Sequence, residues 1–407
     1  MAAALVAGLA VVLMAGRCTA VRAQGESPVL ASAKNPVAAA PVKTLVSPIT
    51  EYDCGHRSPE EWLKDVREAV ARGEILDPRT RRIPPIAPAV QRQGSPTCIP
   101  TPTTADIFPF EDTNSLLLTN FSNGQLFNLM SQAGNALLAA QGDNFDFIAF
   151  WVNFTPNHTL GAAFYLGLEN NVSGIGRSLF DQRAALGLGG VNTEGYVMMW
   201  NINSSFWQPG TGGNAAFTRL VLGQEFEHRF AMFLPSLLDG RRLQGPDDGQ
   251  CGRSAHWNFR VDGQGSGMEI AEWVGASPAA RVGGSLNFNT DIGGVFSYTD
   301  LYLMGYVSPA EMDAGNSELR YLDANTSCGS PYNGPISTFS SADIIASAGA
   351  RSPSSATSQK DWRTGWIMIH LPGDAPSTAE LTKAAGIMQQ WTADWNFGTL
   401  GRGTMNN

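Results

Sequence analysis

The chain changes character near residue 105, and that break bounds what it can fold into. Residues 24–50 are Ala, Val, Pro and Ser with few charges and no periodicity, a composition that reads as a flexible tether. Six prolines then crowd residues 83–104 around Cys98, as expected of an extended connector. Beyond residue 105 the pattern is that of a compact α+β domain. Asp146–Phe154 (DFIAFWVNF), Ala162–Leu168 (AAFYLGL) and Tyr196–Trp200 (YVMMW) are rich in the aromatic and β-branched residues that favour strands. Residues 215–233, interrupted only by Gly223, read as a helix with Leu222, Phe226 and Phe230 on one face. Near the end, Ser377 and Glu380 form a capping box. Leu381, Ala384, Ala385, Met388, Trp391 and Trp395 follow at helical spacing and should pack as core.

The N-terminal part divides further. Ala2–Ala15 is an apolar run, shorter than the ~20 residues that a bilayer span needs. Ala20-Val21-Arg22-Ala23 then offers a small-x-small cleavage site, so residues 1–23 read as a signal peptide. Residues 58–73 read as one helix, with Ser58 as N-cap, Pro59 at the first helical position and Glu61 completing a capping box. Trp62, Val66 and Val70 line its apolar face. The expected organisation is a leader (1–23), a tether (24–50), a helix with a Pro-rich connector (51–104) and one domain (105–407). No later apolar stretch is long enough to span a membrane, so the mature chain is expected to be secreted or periplasmic.

Composition narrows the function classes. With 27 Lys+Arg against 36 Asp+Glu, the net charge is −9, and there are no basic runs to follow a phosphate backbone. Nucleic acid is therefore excluded as the main partner. Hydrophobic residues make up 43 % and charged residues 15 %, enough for a large core. Removing the leader leaves Cys54, Cys98, Cys251 and Cys328, an even number that suits two disulfides in an oxidising compartment. Three pairings are open. Cys54–Cys98 with Cys251–Cys328 is favoured, because each pair lies within one segment; four reduced, buried thiols are the alternative. No CxxC motif supports a thiolate metal site or a redox centre.

The helix over 215–233 contains Gln224-Glu225-Phe226-Glu227-His228. In an H-E-x-x-H zinc helix, the residues at i and i+4 share a face and offer two imidazoles. The intervening Glu reaches a metal-bound water as general base. Here the Glu and the second His are in place and the first His is Gln224. Taken alone, ExxH is a weak signal. Glu227 lies about 80° round the helix from the direction that Gln224 and His228 share, so it reads as a solvent-facing or salt-bridged residue. His56, His158 and His370 have no metal-like spacing and read as structural or exposed. The GxSxG nucleophile motif is absent, since Ser266 is out of phase. Gly174-x-Gly176, Asp247-Asp248-Gly249 and Asp262-Gly263 lack the rest of a nucleotide or calcium motif and read as turns.

Three further boxes surround that helix in sequence: Ala255-His256-Trp257, Ser266-Gly267-Met268, and Phe296 to Tyr306 (FSYTDLYLMGY). Together with Phe164–Gly176 (FYLGLENNVSGIG) and the C-terminal Gly-Arg-Gly-Thr-Met, the set resembles secreted bacterial zincin-type putative metallopeptidases. In that group an HExxH helix is followed by an AHW box, a Ser-x-Met box and a YSPLDLYLMGL box. The resemblance covers roughly residues 140–405. It implies a zincin-like domain with a metal-type helix after a small sheet, a Zn²⁺ cofactor and a peptide or protein substrate. Glu225 matches the general base and His228 the second helical ligand. His256 and Asp300 match polar positions that complete the site, and which of them is a ligand stays open. Gln224 departs from the pattern. An amide oxygen is a weaker zinc donor than imidazole, so the resemblance implies an impaired metal site. Two expectations follow: a zinc metallopeptidase-like hydrolase, or a pseudoenzyme that binds peptides or surface polymers without cleaving them.

Overall fold

The computed structural model describes residues 102–158, 163–210, 213–245, 256–263, 266–268, 296–315, 319–324, 332 and 334–407. The expected leader, tether, helix 58–73, most of the Pro-rich connector and all four non-leader cysteines lie outside the described residues.

The described part is a mixed α/β structure built on one central sheet, with six α-helices. In chain order its elements begin with β1 (Ile107–Glu111), α1 (Asn123–Gln141), β2 (Phe147–Val152) and β3 (Phe164–Gly167). A small ladder follows, β4 (Glu169–Asn170) with β5 (Phe180–Asp181), and then β6 (Gly195–Asn201) and α2 (Gly213–Glu227). Next come β7 (Val261–Asp262), α3 (Tyr298–Met304), α4 (Pro309–Gly315), β8 (Leu319–Leu322), β9 (Ile336–Phe339) and α5 (Ser341–Ala348). The last elements are β10 (Asp361–His370), α6 (Thr378–Gly398) and β11 (Thr404–Asn406). The central sheet runs β1-β10-β2-β6-β3, with β11 added beside β10. All its pairs are parallel except β3 with β6, which makes β3 an antiparallel edge.

Strand β2 shows why the sheet is covered on both faces. All six of its residues are buried, and successive side chains point to opposite sides. Phe147, Ala149 and Trp151 join one core with α2 and α6, while Ile148, Phe150 and Val152 join another beneath α1. A run without polar residues is what a parallel strand between two helical layers requires. On the α2 face, Phe226 packs at 5.0 Å from the rings of both Phe147 and Trp391, and Trp391 meets Trp395 at 5.6 Å. These contacts wedge α2 between the sheet and α6.

The three expected strands fall where β2, β3 and β6 stand, and Ser377 caps α6 with Glu380 as expected. The α2 helix is shorter than expected. It runs from Gly213 to Glu227, and His228 lies just past its last residue. Beyond that point the bonds tighten to i−3 spacing, Arg229 N–H to Phe226 O and Phe230 N–H to Glu227 O, as the buried Arg229 turns towards the sheet. Among the described residues no helix is long and apolar enough to cross a membrane.

Candidate functional site

The site gathers at the end of α2. Gln224, Glu225, Glu227, His228 and Arg229 are all buried, because this last turn is enclosed on every side rather than riding on the surface. His228 N–H still closes the helical bond to Gln224 O at 3.1 Å, which holds both side chains in register on one face.

His256 reaches this face from a different part of the chain. The Gly245 N–H donates to His256 O and the Asn258 N–H to Leu243 O, so the 256–258 segment is laid against residues 243–245. The imidazoles of His256 and His228 meet edge to face, with centroids 4.8 Å apart. The Gln224 amide nitrogen lies 3.0 Å from His256 Nε2. An amide NH2 only donates, so this contact is a hydrogen bond when the His256 ring carries its proton on Nδ1 and Nε2 accepts. In that tautomer the Nε2 lone pair is engaged by Gln224.

A second chain of hydrogen bonds joins the remaining boxes. The Trp257 indole N–H donates to Ser266 Oγ at 2.9 Å, and Ser266 Oγ–H donates to Asp300 Oδ1 at 2.6 Å. The other Asp300 oxygen, Oδ2, accepts from the Ser297 N–H at 3.0 Å, closing a capping box in which Ser297 is the N-cap of α3. Asp300 is therefore the third residue of that helix. Both its oxygens are engaged in tying Ser266 to α3.

Glu227 corrects the reading of a solvent-facing side chain. It is fully buried beside Asp300, and an added Cβ on Gly267 would press on its Oε2. Helical geometry gave its direction correctly. The error lay in supposing water there, when Gly267 and α3 occupy that side.

Electrostatics follow from this enclosure. Burial, with the neighbouring His256 as a second cause, holds the His228 imidazole well below its ordinary range, so it is neutral at neutral pH. Burial raises Asp300, offset in part by its bonds from Glu227, Ser266 and Ser297. One more buried charge anchors the end of the helix. Arg229 Nε donates to Glu194 Oε2 at 2.6 Å, and its two terminal nitrogens donate to Asn170 and Asn171, each at 2.9 Å. Asn170 and Asn171, with Glu194, are thus clamped to the residue following His228. Sequence reading passed over Arg229, the residue directly after the motif, and misjudged the surroundings of Glu227 within it.

Of the residues expected at the site, Gln224 and Glu225 lie in the last turn of α2 and His228 follows directly after it. His256 touches two of them, and Asp300 connects through Glu227 and Ser266. His370 and His158 stand apart, the first bonded to Leu371 O and the second stacked on Trp200 at 3.8 Å.

Zinc sites use at least three protein ligands. Two imidazoles and an amide meet here, and among the described residues no group of three His, Cys, Asp or Glu side chains is placed to hold a metal. No protein-family model, curated protein or solved structure matches the chain.

Proposed function

We propose that the protein is an exported, zincin-like relative of metallopeptidases in which the metal site has been exchanged for a hydrogen-bonded polar cluster, and that it binds peptides without cleaving them. The observation that carries this reading is the contact of the Gln224 amide with His256 Nε2 at 3.0 Å. It takes up the imidazole lone pair that a metal would need and fills the position of the missing helical ligand. Loss of an imidazole ligand weakens zinc binding by more than the ~10–100-fold that loss of an outer partner costs.

The test is zinc content by elemental mass spectrometry on protein purified without chelating resin, beside Gln224→His. The reading expects little zinc in the parent and near-stoichiometric zinc in the variant. Zinc in the parent at the same level would overturn it.

That result would favour the second reading, an active zinc peptidase. Its support is that Glu225 and His228 keep the spacing of a general base and a ligand, and that His228 is held neutral as a ligand must be. In that case Glu225→Gln would abolish peptide hydrolysis while leaving the fold intact. Equal hydrolysis by parent and Glu225→Gln would remove the enzymatic reading.

A further inference from the structure

Arg177 stands beside the site without an anionic partner among the described residues. Its position is fixed by the Gly174-Ile175-Gly176 turn. Both glycines have φ near +80°, and added Cβ atoms would meet Ala350 O at 2.4 Å and Leu234 Cα at 2.5 Å. The turn is therefore wedged between residues 350–351 and the 233–234 segment that follows the His228 turn. Only glycine allows that approach.

The side chain is fixed as firmly. Its guanidinium lies 4.5 Å from the Phe180 ring centroid and 4.3 Å from that of Phe233, held by two half-buried aromatic rings. Gly167, at the end of the edge strand β3, makes room for it: a Cβ there would lie 2.9 Å from Nη2 and 3.2 Å from Nη1. Nearby arginines are satisfied by carboxylates, Arg229 by Glu194 and Arg183 by Asp181 and Glu169. Arg177 makes no such pair among the described residues, and its Nη1 is sealed from water without an acceptor. Leaving a buried donor unsatisfied is costly, more so when it is charged. A rigid, aromatic-flanked, half-buried guanidinium that makes no ion pair among the described residues can offer its open edge, away from the sealed Nη1, to the planar fork of a carboxylate.

We propose that Arg177 is a carboxylate-recognition residue at the rim of the His228 site, taking an acidic group of a bound peptide in a forked hydrogen bond. The peptide part rests on the function proposed above; the carboxylate part does not.

The test is a titration of the full-length, ¹⁵N-arginine-labelled protein with sodium acetate against sodium chloride at equal ionic strength, read from the guanidinium N–H signals. The signal missing from Arg177→Met should shift saturably with acetate and not with chloride. Arg177→Lys, which keeps the charge and loses the fork, should weaken acetate binding about tenfold or more. If no signal assigned to Arg177 responds to acetate beyond the chloride control, the proposal falls. The assignment can be made with Arg177→Gln or Arg177→Lys should Arg177→Met not fold.

Peptides then separate the sources of the carboxylate. Acetyl-Ala-Ala-Glu-Ala-amide is compared with its Gln counterpart, and acetyl-tetra-alanine acid with its amide. A preference of about 10–100-fold for Glu over Gln identifies a side-chain carboxylate, and the same preference for acid over amide identifies a chain end. Saturation by acetate with no peptide discrimination upholds Arg177 as a carboxylate site and removes the peptide reading.

Discussion

The two faces of the central sheet are equally shut from water and are filled in opposite ways. Beneath α1 the core is almost wholly apolar, with Leu126, Met130, Leu137, Ile148, Phe150 and Ile369 meeting side chain to side chain. On the other face α2 brings Gln224, Glu225, Glu227, His228 and Arg229 into the interior, where α3 adds Asp300. Burying charge without a partner is far more costly than burying a methyl group. The second face tolerates it because Arg229 meets Glu194 and both Asp300 oxygens accept hydrogen bonds. One face is held by packing that tolerates any shape of the right volume, the other by partners that must all be present. A polar interior of this kind does not help a domain fold, which makes it the place to look for function.

The largest effect should come from breaking that partnership. Arg229→Met leaves Glu194 buried without its cation and should cost about 3–5 kcal/mol in denaturant unfolding. The double variant Arg229→Met/Glu194→Gln should recover part of the loss. Equal losses in single and double variants would mean that the two faces do not differ in kind.

A second effect concerns the seam between α2 and α6, where Arg219 lies 3.5 Å from Asp394. Burial raises the Asp394 carboxyl to about 6, against the opposing pull of Arg219 and Gln390. A carboxyl whose folded pKa is raised favours the folded state while protonated. Stability should therefore be highest below about pH 4 as far as this group is concerned, and fall by about 2–3 kcal/mol as pH rises through 6. Asp394→Asn should flatten the stability profile between pH 4 and 6. An unchanged slope in that window would place the titration elsewhere.

Gly267→Ala should be milder. Its Cβ would press on Glu227 Oε2, and crowding of this order costs about 1–3 kcal/mol. An alanine at Gly124, near the start of α1, would meet nothing closer than Ser122 Oγ at 3.9 Å and should be close to neutral. Similar losses at the two sites would mean that the enclosure around Glu227 is no tighter than the exposed start of α1.

The smallest effect is a control in which the faces should agree. Ser122 and Ser377 cap α1 and α6 with the same reciprocal box, to Gln125 and Glu380. Each serine-to-alanine change should cost about 1 kcal/mol by thermal unfolding. A much larger loss at one end would mean that its cap is also tied to the site.

What the sequence made legible was local. The unbroken apolar run at 147–152 needs no knowledge of its neighbours to be read as a strand, and Ser377 with Glu380 announces α6 within four residues. Strand β10 was not foreseen. It lies between β1 and β2 and pairs in parallel with both, and such pairing is set by residues more than two hundred positions apart. At the site, the ExxH spacing of Glu225 and His228 was by itself a weak signal, and the contact of His256 with His228 and Gln224 depends on a segment far along the chain. The role of Glu227 was missed because helical arithmetic gives a direction but not what lies there. The Ser297–Asp300 capping box of α3 was not read from the sequence, although its spacing is that of Ser377 and Glu380.

The account turns on one proton. If the Gln224 amide donates to His256 Nε2, that imidazole is neutral with its proton on Nδ1. Imidazole ¹⁵N shifts of His256, assigned with His256→Gln and recorded at neutral pH, report this directly. The account predicts a pyridine-type Nε2 and a pyrrole-type Nδ1, with the pattern lost in Gln224→Ala. A protonated Nε2 in the parent would mean that His256 donates to another partner, and the exchange of metal for hydrogen bond would be contradicted.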